Sequence, residues 1–118
     1  MFDAVRAVMI FCPSPERAAR WWGDLLGLDV HLDVDGESVF AWLNVGAVEF
    51  GFHQADESRN PHGASTVPYW SVEDLDRVRE RLLAAGCTHH RGPLQVSRGR
   101  RICQVIDPFG CVIGLDGP

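Results

Sequence analysis

The sequence predicts an α+β fold built from two βαβββ modules, and three observations carry that prediction. The order strand, helix, three strands is read twice along 118 residues. The two helices stop at Gly27 and Gly86, which lie 59 positions apart. The chain closes on a strand, a turn and a strand: Arg101 to Ile106, Asp107-Pro108-Phe109-Gly110, then Cys111 to Leu115. Proline presets φ in such a turn, and glycine tolerates the positive φ needed to leave it. A repeat of this kind marks a duplicated unit. Each half alone is too small for a good core, so two copies packed together are expected.

Each element has a local reason. Ala4 to Phe11 is rich in β-branched and apolar residues and reads as the first strand. Ser14 suits a helix N-cap, and Pro15 suits the first helical position, where its missing N–H costs nothing. The helix runs to Leu26, with Ala18, Trp21 or Trp22, and Leu25 on one face, and Gly27 stops it. Leu28 to Val34 is a strand that leads into Asp35-Gly36, a strong hairpin turn. Ser38 to Val45 returns, and after Gly46 the run Ala47 to His53 completes the module. Gln54 to Thr66 is polar and contains Asn60-Pro61-His62-Gly63, which reads as a connecting loop. In the second half Val67 to Val72 is a strand. Glu73 to Ala85 is a helix with Leu75, Val78 and Leu82 on one face. Cys87 to Arg91, Leu94 to Ser97, Arg101 to Ile106 and Cys111 to Leu115 are strand-like. The organisation is therefore one domain over 1–118, with module one at about 4–53, a linker at 54–66 and module two at 67–116.

Composition narrows the function. A chain that is 46% hydrophobic and 23% charged is ordinary for a globular domain. A net charge of −5 argues against nucleic acid or an anionic membrane as the main partner. No apolar run approaches a membrane span, and the first residues lack the form of a signal peptide. The four cysteines, Cys12, Cys87, Cys103 and Cys111, have no CxxC spacing and read as reduced, mostly buried thiols of a cytoplasmic protein.

The chain resembles the vicinal oxygen chelate superfamily, which holds glyoxalase I, bleomycin-resistance proteins, fosfomycin-resistance enzymes and extradiol dioxygenases. The matching residues are Trp21-Trp22-Gly23-Asp24-Leu25-Leu26-Gly27-Leu28 at the end of the first helix, Val72-Glu73-Asp74-Leu75-Asp76 opening the second, and the closing Asp107-Pro108-Phe109-Gly110-Cys111-Val112-Ile113. The resemblance implies two modules whose mixed sheets curl into a cup, often completed across a homodimer. It also implies a divalent metal on the cup floor, acting as a Lewis acid. Carried over by position, its ligand sites fall on Ala7, Glu49, Val67 and Gly114. Three of these have no ligating side chain, so the expectation is no metal and no other cofactor.

Strand alternation then gives a lining. Ala7, Met9 and Phe11 share one face of the first strand, and Glu49, Gly51 and His53 share one face of the fourth. On the third strand Val39, Ala41, Leu43 and Val45 are uniformly aliphatic and suit the helix side, which leaves Phe40, Trp42 and Asn44 for the cup. Val67, Tyr69 and Ser71, with Val112 and Gly114, complete the set. The expected ligand-binding residues are Met9, Phe11, Phe40, Trp42, Glu49, His53, Tyr69, Ser71, Val112 and Gly114. A mainly apolar and aromatic lining with a few polar groups is the usual make-up of a small-molecule site.

Each candidate also has an ordinary reading. Glu49 is a general base, a ligand anchor or a solvated carboxylate; an apolar surrounding would disfavour its charged form and suit proton abstraction. His53 is a ligand contact or a strand-end histidine. His89 and His90, adjacent on a strand, point to opposite faces and do not chelate together easily. His31 and His62 read as solvated. Trp21 or Trp22 is core, Trp70 packs under the second helix, and Trp42 is the tryptophan for ligand stacking. Arg98, Arg100 and Arg101 form a solvated hairpin tip, or lend one guanidinium to an anionic ligand group or to Glu49. Cys103 and Cys111 read as core, with no activating base by spacing. Two functions follow. The first is a metal-free binding protein of the bleomycin-resistance type that sequesters a small apolar or aromatic molecule. The second is a lyase, isomerase or dioxygenase-like enzyme with a degenerate or relocated metal site and Glu49 as its catalytic base. A structural or regulatory partner-binding module is a third option.

Overall fold

A computed structural model describes residues 4–58, 60–62 and 67–118. The chain divides into two compact units, Met1–Gly63 and Ala64–Pro118. The first contains β1 (Ala7–Cys12), α1 (Pro15–Leu26), β2 (His31–Asp35), β3 (Ser38–Val45) and β4 (Val48–Gln54). The second contains β5 (Tyr69–Ser71), α2 (Leu75–Ala84), β6 (Thr88–Ser97), β7 (Arg100–Ile106) and β8 (Val112–Gly117). Each unit carries a four-stranded mixed sheet, ordered β1-β4-β3-β2 in one and β5-β8-β7-β6 in the other. The first strand of each unit pairs parallel with the last, and the other neighbours pair antiparallel. The fold is α+β, and the repeat read from the sequence is present as two units of identical strand order.

In the first unit α1 covers one sheet face. It is strongly amphipathic, and it buries Ala18, Ala19 and Trp22. These residues and the buried Cys12, Ala41, Leu43, Phe50 and Phe52 belong to the core. Trp22 meets Phe50 edge-on at 5.0 Å, and Phe50 meets Phe52 at the same centroid distance. Pro15 opens the helix, but Ser14 makes no side-chain cap bond; its carbonyl accepts from the Ala18 N–H instead. Gly27 ends the helix in the left-handed conformation, and the Leu28 N–H bonds back to the Gly23 carbonyl. Leu28 therefore belongs to the helix stop, and β2 begins at His31 rather than Leu28.

In the second unit Leu75, Leu82, Cys87, Cys103, Val105, Cys111, Ile113 and Leu115 are buried. Asp74 caps α2 by accepting from the Arg77 N–H at 3.2 Å, so the helix starts two residues later than its sequence pattern. The two predicted pieces Cys87 to Arg91 and Leu94 to Ser97 are one irregular strand. Gly92-Pro93 forms a cis peptide inside β6, the register shifts there, and the ladder to β7 resumes. Proline is tolerated because β6 is an edge strand. The predicted strand Val67 to Val72 shortens to Tyr69–Ser71. The predicted linker lies partly outside the described residues; within them, Asp56 and Asn60 form a bridge.

Candidate functional site

Register fixes what the open face of the first sheet presents. Ala41, Leu43, Phe50 and Phe52 point to the helix side and are buried, so their neighbours point the other way. One row across the strands is Met9, Gly51, Trp42 and His31. The next is Phe11, His53, Phe40 and Asp33, and a third is Ala7, Glu49 and Asn44. The rings join into a ladder. His31 stacks on Trp42 at 5.3 Å and 25°, and Trp42 stacks on Phe40 at 5.0 Å and 16°. His53 lies at 6.4 Å from Phe40 and at 6.2 Å from Phe11, tilted to both. Offset parallel rings of this spacing attract each other.

Gly51 makes the ladder possible. A Cβ there would lie 2.6 Å from the Phe40 ring and 3.3 Å from the Met9 sulfur. The missing side chain lets Phe40 lie down across β4, parallel to Trp42. At the end of the ladder is an open depression of about 260 Å³, lined by Met9, Phe11, His53, Gln54, Asp56 and Asn60. Its rim is held by backbone bonds exchanged between Asp56 and Asn60, both 2.8 Å, and by the Asp56 carboxylate, which accepts from the N–H and hydroxyl of Ser58.

The open face of the second sheet is built alike around Gly114. Tyr69 is its register partner, and a Cβ on Gly114 would lie 2.6–2.7 Å from three atoms of the tyrosine ring. The Tyr69 hydroxyl accepts from Gln104 Nε2 at 2.7 Å, which holds the ring over the glycine. Ser71 and Ile102 both pair with Asp116 on this face. Asp116 takes a two-pronged ion pair from Arg100, 2.8 Å to Nε and 2.6 Å to Nη2, which holds its carboxyl below the ordinary value. Arg101 makes the corresponding pair with Asp76. The chain thus directs two of the three hairpin arginines to its own carboxylates rather than to Glu49.

A family model of the Glyoxalase/Bleomycin resistance protein/Dioxygenase superfamily matches residues 4–115. The chain belongs to this superfamily. Solved structures agree in fold. A glyoxalase/bleomycin resistance protein/dioxygenase family enzyme from Burkholderia phytofirmans PsJN is 16% identical, with a TM-score of 0.76, covering 97% of this chain and 98% of that one. TnmS3, an antibiotic binding protein from Streptomyces sp. CB03234, is 21% identical, with a TM-score of 0.75, covering 99% and 97%. The oxidase ChaP-H2 is 18% identical, with a TM-score of 0.65, covering 100% and 95%. No curated protein matches the sequence.

The strand registers allow the two units to be compared position by position. Met9 pairs with Gly51 in the first unit as Tyr69 pairs with Gly114 in the second. Gly51 lies between buried Phe50 and Phe52, as Gly114 lies between buried Ile113 and Leu115. By register the counterpart of Gly114 is Gly51, and Glu49 stands two residues earlier opposite Ala7 and Asn44. Of the positions the resemblance implies, Ala7, Glu49, Val67 and Gly114, only Glu49 has a side chain that can donate to a metal, and one carboxylate is too few to hold a divalent ion. Among the described residues no group of three or more His, Cys, Asp or Glu is placed to hold a metal ion. The residues present do not fit a superfamily metal.

Of the ten expected ligand-binding residues, Met9, Phe11, Phe40, Trp42, Glu49 and His53 lie on the open face of the first sheet. Tyr69, Ser71, Val112 and Gly114 lie on that of the second. His31, read as solvated, is a rung of the ladder. The signal was available: a two-residue loop after Asp35 pairs Asp35 with Ser38, and counting back sets His31 opposite Trp42. Asp33, Gln54, Asp56 and Gln104 were not singled out either. His89 takes a 3.0 Å contact from Arg79. Two of the thiols are held in the protonated form: burial, and then the Asp107 charge, push Cys87 up to about 11, and burial raises Cys103.

Proposed function

We propose that this protein binds a small, planar, apolar or aromatic molecule without a metal, on the aromatic open face of its first sheet, and sequesters it without chemistry. The observation that carries this reading is the stack of His31, Trp42 and Phe40 beside Gly51. Flat, half-exposed rings in register offer stacking area at low entropic cost. An antibiotic binding protein among the fold neighbours is in keeping with this reading. The competing catalytic reading gives Glu49 the role of base. Its register partners, Ala7 and Asn44, bring no cation to polarise a substrate oxygen, so we assign Glu49 to the rim of a binding face. A homodimer and a cytoplasmic location go with the proposal; light scattering on purified protein checks the first. Four buried cysteines, none of them in a disulfide, suit a reducing compartment.

The test is tryptophan fluorescence titrated with planar aromatic compounds such as anthraquinone. Trp42→Ala is expected to weaken binding about tenfold, the worth of one aromatic stacking pair. Glu49→Gln, at the rim, is expected to weaken binding clearly less than Trp42→Ala does. A Trp42→Ala protein that binds every ligand normally would place the site elsewhere.

A further inference from the structure

The open face of the second sheet differs from the first in charge. One row runs straight across its four strands: Arg91, Gln104, Gly114 and Tyr69. The register of β6 shifts on both sides of Arg91 yet pairs it with Gln104, and such bulges re-aim a side chain. Gly114 lets the Tyr69 ring lie across it, and Gln104 Nε2 holds the hydroxyl at 2.7 Å. The tyrosine therefore reaches from β5 over β8 to β7, and it stays 44% exposed. Arg91 stands on the far side of Gln104, one strand spacing, about 5 Å, away. The Tyr69 oxygen accepts from Gln104, which leaves its own O–H to donate. Guanidinium and hydroxyl thus flank Gln104 as two donors. Arg100 is paired with Asp116 and Arg101 with Asp76, whereas Arg91 is exposed and makes no ion pair among the described residues. Ala64, Ser65 and Thr66 lie outside the described residues of this unit but carry no charge.

We propose that this row is a second binding site, for a small aromatic carboxylic acid. The carboxylate lies above Gln104, between the Arg91 guanidinium and the Tyr69 hydroxyl, and the ring lies on the open face of Tyr69. The planar fork of an arginine matches a carboxylate with two parallel bonds, and a tyrosine face suits an offset ring. The one carboxylate of the neighbouring row, Asp116, is already neutralised by Arg100, so it does not repel the ligand. The rows of the first face carry Asp33 and Glu49 and, among the described residues, no arginine. The site lies within the second unit and does not rest on the aromatic-face reading above.

Calorimetric titration of the whole chain with naphthoate and its methyl ester tests the assignment. At low salt the wild type is expected to bind the acid about fivefold more tightly than the ester, which keeps the rings but not the charge. The preference should narrow as salt is added. Arg91→Gln should bind acid and ester alike, and Tyr69→Phe, which keeps the ring, should lose part of the preference. Arg98→Gln removes the same charge from the hairpin tip and should keep it. Equal wild-type affinities for acid and ester overturn the site, as does a wild type that binds no naphthoate. A preference that survives Arg91→Gln places the carboxylate elsewhere and also overturns it. A preference lost equally in Arg98→Gln reduces it to net charge, which overturns it too.

Discussion

Asp107 is a buried charged residue, 5% exposed, at the start of the Asp107-Pro108-Phe109-Gly110 turn. Its Oδ1 accepts from the Phe109 and Cys111 N–H groups, both at 2.9 Å. A short acceptor-only side chain meets that need, and alanine takes this acceptor from one buried and one part-buried donor. Asp107→Ala is expected to cost about 2–3 kcal/mol in urea unfolding, and Asp107→Asn, which keeps an oxygen in place, clearly less. Cys87 gives a pH signature. Its thiol is held up to about 11 in the fold against an ordinary 9.0, so the unfolded chain ionises it first. Its contribution is fully present below about pH 9 and is lost as pH rises from there toward about 11. Urea midpoints measured across that window should fall more steeply for the wild type than for Cys87→Ala. Parallel slopes would show that Cys87 ionises alike in both states.

At the scale of elements, two central strands carry a glycine where a ring lies down. Gly51 admits Phe40 and Gly114 admits Tyr69. Gly114→Ala must push Tyr69 off its Gln104 bond and is expected to cost about 1–3 kcal/mol, as overpacking does. Gly51→Ala must lift Phe40 out of its stack, so ligand affinity should fall along with stability. A thermal melt and a ligand titration on both variants check this; a Gly51→Ala protein with unchanged affinity would separate the glycine from the site. The uniformly aliphatic set Val39, Ala41, Leu43 and Val45 makes the parity of β3 legible in the sequence, and with it the face that carries Phe40 and Trp42. The contact over Gly51 was not legible. It depends on the fourth strand's register against both neighbours, and a string of residues does not print which glycine faces which ring.

At the scale of the whole chain, the duplicated order and the closing turn sufficed to reach the fold, because each hydrophobic period, cap and turn agreed with the others. The site was harder to read. Residues that lie together, Met9, Phe40, Gly51 and His53, come from three strands brought side by side by long-range pairing. Reading position by position placed a superfamily ligand at Glu49. The equivalence of Met9–Gly51 with Tyr69–Gly114 is visible only once the strands are paired.

The central claim is that binding depends on the ring ladder and not on a metal. The most direct measurement is equilibrium dialysis of naphthol against the wild-type protein before and after exhaustive treatment with a chelator. The account predicts the same affinity in both states. Affinity that disappears with the chelator and returns on adding a stoichiometric divalent ion would contradict it.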